Sequence, residues 1–110
     1  MLDQDDYYCK IFIDASITKD ELTNEIENLL ETKSEVYIIE SENAEICINT
    51  NKEFSKAKDD FLFYPFYLDI IPKENTTLEN YIKELKKIIS HIIFLNYKAI
   101  PACDFEEELI

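Results

Sequence analysis

The chain is 110 residues long, the size of one ordinary domain, and carries 24 acidic against 11 basic side chains for a formal net charge of −13. All the basic residues are lysines, and arginine, glycine and tryptophan do not occur. Without glycine there is no phosphate-cradling glycine loop or dinucleotide fingerprint, and without arginine no bidentate fork for phosphate. An acid excess this large repels nucleic acid and anionic lipid, so neither is expected as a partner.

The hydrophobic fraction is 46% and the aromatic fraction 13%, enough to build a core and to argue against disorder despite the charge. Self-repulsion among the acids should weaken the fold most at low salt. The start, Met1-Leu2-Asp3-Gln4-Asp5-Asp6, lacks the basic and apolar regions of a secretory signal. The longest apolar run, Ile92–Leu95, is too short to span a bilayer, so a cytoplasmic protein is expected. Cys9, Cys47 and Cys103 are odd in number and widely spaced; they read as small apolar residues and not as a disulfide framework.

The first predicted element is a strand. Over Tyr7–Asp14, Tyr7, Cys9, Ile11 and Ile13 alternate with Tyr8, Lys10, Phe12 and Asp14, and the mixed second face implies partial cover on that side too. The period then becomes helical over Ile17–Glu31. Thr18 and Glu21 form a capping box, Ile17 and Leu22 a hydrophobic staple, and Leu22, Ile26, Leu29 and Leu30 an apolar stripe. Glu35–Glu40 and Ala44–Asn49 predict a hairpin turning at Ser41-Glu42-Asn43, with Asn43 suited to a left-handed position and Val36 and Ile38 on the face of Ile46 and Ile48.

The polar stretch from Asn49 to Asp60, with Lys52, Lys56 and Lys58 among acids, predicts a loop or a short helical turn around Phe54. Phe61–Ile71 is apolar on both faces and predicts a buried strand, with Pro65 at an edge or bulge. Thr76 and Glu79 predict a second capping box, opening a helix to about Leu95 with Leu78, Tyr81, Ile82, Leu85, Ile88, Ile89, Ile92 and Leu95 on its apolar face. Its last turn, Ile92–Leu95, is apolar nearly all round and should be enclosed. A final edge strand, Tyr97–Ala102, contains Pro101, and an acidic tail follows. The order β-α-β-β-β-α-β predicts a single α+β domain: an antiparallel-rich sheet of about five strands with two helices on one face, ferredoxin-like in topology with one extra strand.

Candidate chemistry is thin. His91, the only histidine, falls with Lys87 and Glu84 on the polar side of the second helix, where a solvated side chain explains it better than a general base. Cys103 could join His91 and Asp104 as a nucleophile set, but the acids that follow it would raise the thiol pKa and blunt it. The calcium-loop pattern is absent, and one histidine without a cysteine pair does not make a zinc site, so no metal or cofactor is expected. The collective charge is more informative, because it creates a field that steers a cationic partner, with simple solubility the competing reading. Tyr7, Tyr8, Phe12, Tyr37, Tyr64 and Tyr67 exceed what a core of this size can hold, and tyrosine among acids makes a good protein-binding surface.

Residues 59–70, DDFLFYPFYLDI, and residues 100–109, IPACDFEEEL, resemble paired motifs of small acidic immunity proteins from bacterial polymorphic and contact-dependent growth inhibition toxin systems. The matched segments cover about a fifth of the chain, all in its second half. The resemblance implies a non-catalytic protein that binds and neutralises a cognate, cytosol-acting toxin domain, with a nuclease the expected kind. On the matched positions it points to Asp59, Asp60, Asp104, Glu106, Glu107 and Glu108, with the nearby Tyr64 and Tyr67, as the partner-binding surface, while Asp69, Asp104 and Phe105 could equally be structural. The competing expectations are a small regulatory or adaptor domain that binds a metabolite or protein partner, and, last, a small enzyme using Cys103 or carboxylates.

Overall fold

The computed structural model describes residues 6–109. Asp3 and Asp5 of the acidic start lie outside them. Six strands and two helices follow in chain order: β1 (Cys9–Asp14), α1 (Lys19–Leu30), β2 (Ser34–Glu35), β3 (Ile38–Glu40), β4 (Ala44–Thr50), β5 (Phe66–Pro72), α2 (Leu78–Phe94) and β6 (Lys98–Ala102). The strands make one antiparallel sheet in the order β2-β3-β4-β5-β1-β6. β1 and β4 therefore run parallel on either side of β5, joined through α1. The α+β class is as the sequence predicts; the sheet has one strand more than the expected five.

Strand alternation sorts the residues into two faces. Cys9, Ile11, Ile13, Ile46, Ile48, Leu68 and Ile70 are fully or almost fully buried and form one core with Leu22 and Ile26 of α1 and Leu85, Ile88 and Ile92 of α2. Both helices thus cover the same face. The opposite face carries Lys10, Phe12, Asn49, Tyr67 and Asp69. It is covered only near Phe12, which is buried under Phe61 in an edge-to-face contact at 5.4 Å.

Local chemistry sets the element ends. Thr18 caps α1 as predicted, its hydroxyl accepting from the Glu21 amide while Glu21 accepts from the Thr18 amide. The cap of α2 is Thr77, which accepts from the Asn80 amide. Thr76, the predicted cap, is buried instead, donating to Asn43 Oδ1 at 2.8 Å.

Three further expectations are corrected. The run Glu35–Glu40 is not one strand: Val36 and Tyr37, with φ of 50° and 63°, form a two-residue turn between β2 and β3. This slip of the pattern buries Ile39 opposite Ile46 and leaves Val36 and Ile38 exposed, and Asn43 has no positive φ. The strand predicted from Phe61 starts only at Phe66, because Phe61–Phe63 is a 3-10 helix and Pro65 precedes the ladder. The last turn of α2 is open to solvent, with Ile93 55% and Phe94 80% exposed.

Candidate functional site

β1 fixes the positions of the expected partner-binding residues. Phe66 pairs with Ile13, so Asp59, Asp60 and Tyr64, which precede Phe66, lie where β1 ends. Ala102 pairs with Lys10, so Asp104 and Glu106–Glu108, which follow it, lie where β1 begins. The strand parts of the two motif segments flank β1 on either side, but their acidic ends lie at opposite ends of that six-residue strand, roughly 20 Å apart. Asp60 caps the 3-10 helix by accepting from the Leu62 amide at 3.0 Å. Tyr67 lies on the open sheet face beneath the Lys10 ammonium, 4.3 Å from its ring centre.

The tail is built as an anchored ridge. Phe105 is 8% and Leu109 5% exposed, whereas Asp104, Glu106, Glu107 and Glu108 are all exposed. Phe105 packs on Tyr7 at 5.3 Å and on Tyr81 at 6.1 Å. Tyr81, fully buried on α2, donates its hydroxyl to Tyr7 O at 2.6 Å and to Ile70 O at 3.3 Å. Burial pushes that phenol well above the ordinary tyrosine range, so it is a fixed donor. The 3-10 helix Glu106–Leu109 is thus mounted on the core with its carboxylates outward. The apolar residues four apart in a run of acids are the sequence signal for this mount.

Neighbouring acids extend the charge at this end. Ala44 pairs with Pro72, which brings the turn carrying Glu42 beside Glu74. Glu40 and Glu45 face each other across β3 and β4, a like-charge pair offset by Lys73, whose ammonium lies 3.0 Å from Glu40. Glu84, read from the sequence as part of a solvated face, is buried: it accepts from Ser41 Oγ at 2.6 Å and ties the β3–β4 turn to α2. His91 likewise does not stand free in solvent; its Nε2 lies 3.1 Å from Glu25 Oε1 and links the two helices.

The other end holds a cleft of about 590 Å³ between the β1–α1 connection, the loop after β4 and the start of β6. Phe54, Phe63 and Tyr64 form part of its wall, and Lys56, Lys58, Lys98, Asp14 and Asp59 carry its charges. A second groove beside it on the open sheet face is lined by Lys10, Lys19 and Lys52. Among the described residues none of these six lysines forms a salt bridge. Sequence reasoning missed this gathering: three of the lysines looked like loop residues scattered among acids, and nothing local announces that Lys98 pairs with Asp14.

The cysteines are free thiols. Burial, and then the neighbouring Cys103, push the Cys9 thiol far up; burial also raises Cys103, against the hydrogen bond it receives from Cys9. A raised thiol is a poor nucleophile at neutral pH. Among the described residues no group of three metal-ligating side chains occurs, and no helix is long and apolar enough to cross a membrane. Searches of protein families, curated proteins and solved structures return no match to this chain.

Proposed function

We propose that the chain is a non-catalytic immunity protein that acts in the cytoplasm, binding and neutralising a cognate bacterial toxin domain with a basic surface, a nuclease being the favoured kind. The observation that carries this is the anchored tail: Glu106, Glu107 and Glu108 project from a short helix pinned on both sides by buried Phe105 and Leu109. Charges fixed before binding need little ordering on association, and they steer a basic partner at long range. Asp104, Glu42 and Glu74 at the same end enlarge the field. Asp59 and Asp60, being at the far end, belong to this interface only if the toxin spans the length of the sheet.

The test is to mix the protein with the toxin domain encoded beside its gene and run size-exclusion chromatography at low and high salt, with Glu106→Gln/Glu107→Gln/Glu108→Gln in parallel. A 1:1 complex that loosens with salt and weakens at least tenfold in the triple variant is expected. No complex at either salt removes the immunity reading. A small ligand-binding regulatory or adaptor domain is the second reading, and the lysine-lined cleft is the specific observation in its favour.

A further inference from the structure

We infer that the cleft at the far end of the sheet is a binding site for a nucleoside phosphate. Three features of the cleft bear on this. The first is that it is preformed. Asn51, buried at the start of the loop, donates through Nδ2 to Leu62 O at 3.0 Å and to Tyr64 O at 2.7 Å. Its own amide bonds Pro65 O at 2.8 Å, its Oδ1 accepts from the Glu53 amide, and Ser55 N bonds Phe63 O. The loop that carries Lys56 and Lys58 is therefore tied at several points to the segment that carries the aromatic wall, and ligand binding need not order it.

The second feature is charge. In a chain of net charge −13, Lys56, Lys58 and Lys98 converge on one cavity, and Lys10, Lys19 and Lys52 line the adjoining groove. Lysine binds phosphate as a point charge and needs no arginine fork. The third is the mixture of groups. Phe54, Phe63 and Tyr64 line it with aromatic rings, and Lys58 lies 4.2 Å over Phe63, so cation and aromatic surface meet in one wall. Asp14 and Asp59 would repel a bare anion but can accept from sugar hydroxyls. A phosphate, a sugar and a planar base together use all three kinds of group, and the volume falls within the range of small-ligand pockets.

This site is independent of the acidic tail, and its test needs only the chain by itself. Amide chemical shifts are followed by NMR while the four common nucleoside monophosphates are titrated at constant ionic strength, with inorganic phosphate and adenosine as controls. The expected result is saturable shifts confined to residues 14–17, 51–66 and 98 for at least one nucleotide. Phosphate and adenosine should each bind at least tenfold more weakly, and Lys98→Gln and Lys58→Gln should each cost at least tenfold in affinity. Lys98 is exposed at the start of an edge strand, so its replacement leaves the fold intact. Absence of saturable shifts in the cleft with all four nucleotides overturns the proposal. Phosphate binding as tightly as the nucleotide, or unchanged affinity in Lys98→Gln, overturns it equally.

Discussion

Val36→Asn should make the protein more stable. Val36 and Tyr37 occupy a two-residue hairpin loop with φ of 50° and 63°, the backbone that asparagine and glycine favour and that a β-branched residue resists. A left-handed conformation costs an ordinary L-residue roughly 1–2 kcal/mol, and asparagine relieves much of it, a gain of about 1 kcal/mol. Val36 is 84% exposed, so replacing it forfeits only about 0.3 kcal/mol of burial. The net gain is about 0.7 kcal/mol, which at a urea m-value of about 1.5 kcal/mol/M moves the midpoint up by about 0.5 M with m unchanged. Tyr37 must stay. Its hydroxyl donates to Asp20 Oδ1 at 2.5 Å, Lys19 lies 3.9 Å over its ring, and its carbonyl accepts from the Ile48 amide. A urea titration of the two proteins, followed by far-ultraviolet circular dichroism, decides the matter. An unchanged or lowered midpoint would refute the claim that Val36 sits in a strained turn. If the midpoint rises while the affinity for the proposed toxin partner falls, the exposed valine is kept for contact and not for folding.

Glu27→Gln should destabilise the fold at neutral pH but not in acid. Glu27 accepts from both the amide and the hydroxyl of Ser34, at 2.6 and 2.7 Å, which holds its carboxyl below the usual glutamate range. A lowered folded-state pKa stabilises fully above the unfolded value and is lost as pH falls through the folded one, so the gap between variant and parent should close there; a gap constant with pH in urea titrations would contradict this. Iodoacetamide at neutral pH should leave Cys9 unmodified and label Cys103 more slowly than a free thiol, with both reacting at ordinary rates in urea; mass spectrometry showing rapid native labelling of Cys9 would count against its buried, raised thiol. Tyr81→Phe should cost about 1–2 kcal/mol by leaving the Tyr7 and Ile70 carbonyls without their shared donor, read as a lowered urea midpoint, and a neutral effect would argue against that bond.

Features settled by neighbours in sequence were legible in it. The Thr18–Glu21 box, the alternation through β1 and the apolar stripe of α2 need only one turn or one strand to be recognised. What failed was settled by partners far along the chain. Thr76 is locally the better cap, with Glu79 placed to complete a box, yet its hydrogen bond to Asn43 leaves the cap to Thr77. Val36 reads as a strand residue by every local rule, yet the pairing of Ile39 with Ile46 puts the turn on it. Glu84 reads as surface until Ser41 meets it. The site residues divide the same way. The tail's acids and its anchors Phe105 and Leu109 are adjacent in sequence, whereas the cleft joins residues from both ends of the chain.

The arrangement of charge resolves a tension in the composition. A chain so acidic would be expected to spread its few lysines as counter-charges, pairing each with a carboxylate. Among the described residues only Lys73 and Lys83 do so, and six of the others line the cleft and the groove that extends from it across the open sheet face. Lysines placed for solubility or for balance would be scattered. Leaving them without a carboxylate forgoes the modest stabilisation of surface ion pairs, at most about 1 kcal/mol each, in a protein whose self-repulsion already works against folding, although Lys10, Lys19 and Lys58 lie over the rings of Tyr67, Tyr37 and Phe63 instead. The tail shows the reverse case, with consecutive glutamates held close together by Phe105 and Leu109 although repulsion favours spreading them. Both arrangements carry an electrostatic cost to folding, and on the function and the site proposed above a partner of opposite charge offsets it at each.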